Sequence, residues 1–367
     1  MIRVLVVDDS ALVRKLFGQV LAEEPDFEVR FARNGVEALA QLDDYRPHVI
    51  TLDVQMPEMD GLACLDRIMV QRPSPVVMVS SITAEGAEAT LNALKLGAID
   101  FMAKPSGAVS LRVDEFAPTL KSKIRIAATA KMPASRRLRE RVQFRAGGGS
   151  AARQRRVADS ADPAVAAVPA AGDGVVLVGT STGGPPALEA LLCSIPASFP
   201  WPILVAQHMP ASFTGPLARR LNDLCALHVV EAATALPLET GKVYIGRGDA
   251  DILLSRRGAE FFVMPAPAKA DYPWHPSTDR LVRSAMNHLP SSQLIGVLMT
   301  GMGNDGAQAM TELRAQGGVT IAEAEETAVV WGMPGELARG GGATFIVPLQ
   351  KIAQRLQSLV PLHAAHT

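Results

Sequence analysis

Apolar residues in this chain come in short runs separated by stretches with helical spacing. Within residues 1–125, five such runs stand at Val4–Val7, Glu28–Phe31, Val49–Leu52, Val76–Ser80 and Ile99–Met102. Between the first two lie Leu12, Val13, Leu16, Phe17, Val20 and Leu21, an i, i+4 stripe that reads as one face of a helix. Five strand–helix units in a row predict a parallel, doubly wound sheet with helices on both faces. The alternation resumes at Gly174. There Val175–Val178, Ile203–Ala206 and Leu294–Met299 are strand candidates, each followed by a turn and then a helical pattern. The expected fold class is α/β, with two such sheets in one chain.

Composition changes between them. Residues 131–156 hold nine Lys/Arg and one acid, Glu140, around a Gly147-Gly148-Gly149-Ser150 run. Residues 158–172 are mostly Ala, Pro, Asp and Val, without apolar periodicity, as in a flexible linker. This divides the 367 residues into a first domain at 1–125, a linker at 126–173, a second domain at 174–359 and a tail at 360–367. The linker's basic charge suits either a solvated spacer or a grip on an acidic partner.

The chain as a whole carries a net charge of −1, which gives no signature of nucleic-acid or membrane binding. The opening MIRVLVVDDS reads as a buried strand rather than a signal peptide, and no run approaches the ~20 apolar residues of a membrane span. Cys64, Cys193 and Cys225 have no metal spacing and fit reduced, structural thiols of a cytoplasmic protein.

In an open parallel sheet, chemistry collects at the carboxyl ends of the strands. In the first domain Asp8 and Asp9, Asp53, Ser80 and Lys104 all fall there. Asp9-Ser10 could cap a helix as well. Three converging carboxylates repel each other unless a hard cation joins them, and Mg²⁺ suits such a set. An aspartate held there can accept a phosphoryl group, with Lys104 and the metal neutralising its charge.

These residues resemble the receiver domains of bacterial two-component systems. The matching runs are VVDDS at 6–10, DVQMPEMDG at 53–61 and FMAKP at 101–105. The resemblance implies a flavodoxin-like fold and phosphorylation of Asp53 by a histidine kinase. It also implies Mg²⁺ held by Asp9, Asp53 and the backbone carbonyl of Gln55, with Asp8 assisting. Ser80 and Phe101 become the switch pair.

In the second domain, residues 175–184 read VVLVGTSTGG: an apolar strand, a glycine turn and the start of a helix. The run from Gly179 to Gly183 satisfies the G-x-S-x-G nucleophile pattern around Ser181, although such a turn can equally cradle a phosphate. His208 follows the next strand, and Asp305 follows the strand Leu294–Met299. Asp305 alone would read as a helix cap. Ser, His and Asp past three strand ends that share one edge offer a nucleophile, a base and its orienter. An α/β-hydrolase order, with His275 or His288 and Asp249 or Asp251, is the second option.

This domain resembles the catalytic domain of the chemotaxis protein-glutamate methylesterases of the CheB type. The runs are VGTSTGGP at 178–185, VAQHMPASFT at 205–214, MTGMGNDGA at 299–307 and VVWGMPGEL at 329–337. The resemblance implies a Rossmann-like fold, Ser181 as nucleophile, His208 as base and Asp305 as orienter. It implies Thr182 and the backbone at Met302 as oxyanion or substrate-positioning groups, and no cofactor for ester hydrolysis. The implied substrates are glutamate methyl esters, and glutamines, on the cytoplasmic helices of chemosensory receptors, served by a monomer.

Two stretches depart from the family pattern. Many relatives carry His-Arg-Pro-Ser where this chain has Trp274-His275-Pro276-Ser277, and an Ala-Pro-Gly turn where it has Gly246-Arg247-Gly248-Asp249-Ala250-Asp251. They point to an altered receptor cleft and a specialised chemosensory array. A DNA-binding output is opposed by the absence of a helix-turn-helix candidate. An inactive scaffold is opposed by the intact Ser181, His208 and Asp305.

Overall fold

The computed structural model describes residues 1–81, 83–104, 113–132 and 174–360. The first unit runs β1 (Ile2–Val7), α1 (Ala11–Ala22), β2 (Phe27–Ala32), α2 (Gly35–Tyr45), β3 (Val49–Asp53), α3 (Gly61–Gln71), β4 (Val76–Ser80), α4 (Ala84–Leu96), β5 (Asp100–Ala103) and α5 (Val113–Thr129). Its five strands are parallel in the order β2-β1-β3-β4-β5. Polar side chains start the helices: Ser10 accepts from the N–H of Val13, Asn34 from Glu37 and Asp60 from Ala63. It is therefore Ser10 that caps α1, which leaves Asp9 exposed at the strand end.

Two expectations need correction here. The buried face of α1 is Leu16, Phe17, Val20 and Leu21, whereas Leu12, in the first turn, is exposed. The first unit also does not stop at residue 125. Helix α5 continues to Thr129 because its apolar stripe continues through Ile124 and Ala127, both fully buried. Arg125 ties the helix to Glu24 and Asp26 at 2.8 and 3.0 Å. The basic and glycine-rich linker stretch from 133 on, and the tail from 361 on, lie outside the described residues.

The second unit begins with β6 (Val175–Thr180), α6 (Gly184–Leu192), β7 (Ile203–Gln207), α7 (Ala211–Leu224), β8 (His228–Ala232), β9 (Leu236–Pro237) and β10 (Lys242–Gly246). It continues with β11 (Ala250–Arg257), β12 (Glu260–Pro267), α8 (Thr278–Met286), β13 (Leu294–Leu298), α9 (Ala307–Ala315), β14 (Val319–Glu323), α10 (Met333–Arg339), β15 (Phe345–Val347) and α11 (Leu349–Leu359). Seven strands form one parallel sheet, ordered β15-β14-β13-β6-β7-β10-β8. The sequence pattern did not disclose a further three-stranded antiparallel sheet, β11-β12-β9. The doubly wound class holds for both units. Successive strands β6 and β7 lie on one side and β13 on the other, so the order reverses at β6, where open sheets place their sites.

The two units pack together through the α4–β5–α5 side of the first. The ring of Phe101 lies 4.4 Å, centroid to centroid, from that of Phe213 on α7. Arg220 of α7 donates to Asn92 of α4 at 2.8 Å. Lys131 binds the carbonyl of Val329 through its N–H at 3.0 Å, and Glu325 through its ammonium. A cavity of about 830 Å³ lies along this seam, lined by Leu94, Lys95, Pro185, Glu189, Thr300 and Glu323 among others. Among the described residues, no helix is long and apolar enough to cross a membrane.

Candidate functional sites

The first site is an acidic pocket at the carboxyl edge of the five-stranded sheet. Asp8 and Asp9 follow β1 and Asp53 closes β3, so neighbouring parallel strands deliver them together. One oxygen of each lies within 4.8 Å of the others. Lys104, just past β5, reaches across: its Nζ is 2.6 Å from Asp53 Oδ2 and 3.0 Å from Asp8 Oδ2. Burial pushes the Asp53 carboxyl up to about 6, helped by the charge of Asp8 and opposed by the hydrogen bond from Lys104. Burial also opposes the charge of Lys104, but the two carboxylates outweigh it and raise its pKa. A pocket that holds three carboxylates against one ammonium, with a buried one already resisting ionisation, suits a divalent cation with oxygen ligands.

Ser80 stands on β4 and Phe101 on the neighbouring edge strand β5. Ser80 is fully buried and its hydroxyl donates to the carbonyl of Gly86 at 3.1 Å, at the start of α4. Phe101 is buried against Phe213. Among the described residues, neither side chain is hydrogen-bonded to Asp53.

The second site is assembled at the reversal point of the seven-stranded sheet. β6 and β7 pair with Thr180 opposite Gln207, so Ser181 and His208 each follow a paired position on neighbouring strands. On the other side of β6, the N–H of Ser181 donates to the carbonyl of Thr300 at 3.0 Å. The turn after Ser181 reverses at Gly183, whose φ of 77° is costly for other residues, and α6 begins at Gly184. The β13 loop comes so close that a Cβ on Gly301 would lie 2.8 Å from Ser181 Cβ and 2.4 Å from Met333 Sδ. That closeness brings Asp305 within reach.

Asp305 is 2% exposed and accepts hydrogen bonds at both oxygens. His208 Nε2 is 2.8 Å from Oδ2. The N–H groups of Thr278 and Asp279, at the start of α8, donate at 2.6 and 3.1 Å, and the hydroxyl of Ser277 at 2.9 Å. Asp305 thus sits at the N-terminus of α8, a helix remote in sequence, rather than capping its own. Burial opposes its ionisation. The hydrogen bond and charge of His208, with those two N–H groups, outweigh burial and hold its pKa below the usual value. The other imidazole nitrogen, Nδ1, is buried and has no hydrogen-bond partner among the described residues.

Thr182 is buried, and its hydroxyl donates to Oδ2 of Asp100, in the first unit, at 2.7 Å. Met302 is exposed, with its Sδ 3.7 Å from the hydroxyl of Ser122 on α5. Both therefore contact the first unit. Sequence reasoning did not find Asp100, Ser277, Thr278 or Glu323. Glu323 is fully buried, accepts the N–H of Thr300 at 2.8 Å and is pushed up to about 7 by burial, against the hydrogen bonds from Thr300 and Thr327. Only its place among strand residues of β14, an acid within an apolar run, could have signalled it.

The residues of the alternative order have partners of their own. Asp249 meets the N–H of Ala211 at 3.4 Å, and His288 follows the end of α8. His275 and Asp251 do pair, Nδ1 to Oδ1, at 3.0 Å, but Arg280 and the N–H of Ser277 share the same carboxylate.

Comparison with known proteins is consistent across both units. Residues 176–356 match the family model for CheB methylesterase, and residues 4–113 that for the response regulator receiver domain. A protein-glutamate methylesterase/protein-glutamine glutaminase 2 of Rhodopseudomonas palustris (strain BisB18) is 56% identical, over 96% of this chain and 96% of that protein. Its counterpart numbered 3 in Rhodospirillum rubrum is 51% identical, over 98% of this chain and 96% of the relative. The crystal structure of the Thermotoga maritima CheB methylesterase catalytic domain covers 52% of this chain and 100% of its own, at 36% identity and a TM-score of 0.50.

Proposed function

This chain belongs to the CheB methylesterase family, joined to a response regulator receiver domain, and on that premise we propose that it is a phosphorylation-activated serine hydrolase of chemosensory receptors. It cleaves glutamate methyl esters, and deamidates glutamines, on receptor cytoplasmic helices, and so resets the receptors after a stimulus. The phosphodonor is the histidine kinase of the same array. One chain carries both sites, which suits a monomer in the cytoplasm. The observation that carries the reading is the convergence of Ser181, His208 and Asp305 at one edge of the sheet.

Ser181 Oγ attacks the ester carbonyl as His208 Nδ1, the nitrogen not engaged by Asp305, takes its proton. Asp305 fixes the ring through Nε2 and stabilises the imidazolium. Thr182 and the backbone at Met302 meet the developing oxyanion, a kind of contact worth about 10²–10³ in rate per donor. His208 returns the proton to the leaving methoxide, and methanol departs. Water, deprotonated by His208, then cleaves the acyl-Ser181 bond and frees the glutamate. With a glutamine the leaving group is ammonia.

Control starts at Asp53, whose carboxylate oxygen takes the phosphoryl group. Asp9, Asp53 and the carbonyl of Gln55 would hold Mg²⁺, with Asp8 assisting, and the three clustered carboxylates fit that ion. When bound, the ion neutralises charge on the transferred group. Lys104 then exchanges its hold on Asp53 for the phosphoryl oxygens. The change reaches the seam through Ser80 and Phe101, which lie between Asp53 and the second unit.

The test is methanol release from methylated receptor membranes by the full chain, with and without a small phosphodonor, beside Ser181→Ala. Release that rises with the phosphodonor and is lost in the variant is expected. No release from receptors of several arrays would refute the reading.

A further inference from the structure

We propose that Trp274 is a positioning residue for His208, and that Asp251, acting through His275, holds it there. The inference rests on the hydrolase reading above and deepens it. The indole and the imidazole are parallel, with 2° between their planes and centroids 5.9 Å apart. The indole also lies on the loop that delivers Asp305, since a Cβ on Gly303 would meet Trp274 Cζ2 at 2.7 Å. The base and the loop of its orienter therefore both lie beside one aromatic side chain. His208 keeps only 9% of its side chain exposed.

The anchor is a second buried carboxylate. Asp251, on β11, is 1% exposed. Its Oδ1 accepts from His275 Nδ1 at 3.0 Å and from the N–H of Ser277 at 2.6 Å, and its Oδ2 accepts from the Arg280 guanidinium. The segment from Trp274 to Ser277 is thus fastened on both sides of Pro276. Ser277, fastened this way, donates in turn to Asp305. The two stretches that depart from the family pattern are thus joined by the Asp251–His275 pair.

The chemistry follows from charge. His208 becomes an imidazolium only as it takes the serine proton. An indole face within about 6 Å of a cation attracts it, and Trp does so best among aromatic residues. The attraction grows as the proton moves, so it favours the transition state over the ground state. The stack also resists rotation of the ring, which keeps Nε2 on Asp305 and Nδ1 toward the nucleophile. An apolar side chain of similar bulk would fill the space without either effect.

The experiment uses the full chain with Mg²⁺, a small phosphodonor and methylated receptor membranes, following methanol release. Trp274→Leu is expected to lower kcat about tenfold with KM changed less than about twofold. Trp274→Phe should restore kcat to within about threefold of the parent, because the aromatic face returns. His275→Ala, a partly exposed position, should lower kcat to the level of Trp274→Leu and add little in the double variant. A Leu variant with parental kcat, a change in KM alone, a Phe variant no better than Leu, or fully additive Trp274 and His275 effects would overturn the proposal. Absence of release by the parent chain, or release insensitive to Ser181→Ala, would instead refute the hydrolase reading and this inference with it.

Discussion

The hydroxyl of Thr182, one residue after Ser181, is held by the carboxylate of Asp100, which belongs to the other unit of the chain, at 2.7 Å. Asp100 is also paired with Lys123 on α5 at 2.7 Å, so it is a fixed acceptor rather than a roaming one. A donor proposed to meet the oxyanion is thus engaged elsewhere while the two units are packed together. Asp100 begins the strand that carries Phe101, so any shift of β5 moves both contacts across the seam.

Removing that contact should release the brake. A hydrogen bond to a charged group is worth about 1.5–3 kcal/mol, which corresponds to at least tenfold in the balance between covered and open forms. Asp100→Ala is therefore expected to raise methanol release about tenfold without phosphodonor, and to shrink the stimulation that the phosphodonor gives. Unchanged basal activity would show that Asp100 does not restrain the site.

Asp305 meets both His208 and the start of a helix, and two substitutions separate these contacts. Asp305→Asn keeps an acceptor for one of the two α8 N–H groups but loses the charge beside the imidazolium. We expect a fall in kcat of about 10³–10⁴ with a small loss of stability. Asp305→Ala strands the N–H groups of Thr278 and Asp279 and the Ser277 hydroxyl, and should also cost about 2–4 kcal/mol in denaturant unfolding. Equal stability of the two variants would contradict the capping role.

Glu323 makes stability depend on pH. Its carboxyl titrates at about 7 in the folded protein against 4.5 unfolded. The folded state therefore holds the proton more tightly between these values. Its favourable contribution is complete below pH 4.5 and is lost as pH rises through 7. The loss amounts to about 3 kcal/mol. Glu323→Gln keeps the acceptor for the N–H of Thr300 and cannot ionise. Denaturant titrations from pH 5 to 8 should show a decline in the parent chain that is much weaker in the variant. Parallel curves would reject this assignment.

Gly301 sets the distance between the β13 loop and Ser181. In Gly301→Ala the new methyl would sit 2.4 Å from Met333 Sδ and 2.8 Å from Ser181 Cβ, so the loop must retreat. A displacement of up to about 1 Å at Ser181 is expected to lower kcat by about 10²-fold with the fold retained. Parental kcat in a folded variant would place the loop elsewhere.

The sequence alone marked the five strands of the first sheet and β6, β7 and β13 of the second, because each is a short run between turns; all but β1 and β2 are buried along nearly their whole length. It determined Ser181, His208 and Asp305 as candidates, because a parallel sheet brings all its strand ends to one edge. The same reasoning gathered Asp8, Asp9, Asp53 and Lys104. What it did not contain were contacts between segments far apart in the chain. Asp305 looked like a cap for its own helix, yet it accepts from the start of α8. Asp100 was one residue of a strand until packing placed it on Thr182. The antiparallel sheet β11-β12-β9 stayed hidden because half-exposed strands with Arg, Pro and Ser leave no clean apolar run. Periodicity reports which face of an element is buried; only tertiary structure decides which distant polar group meets it.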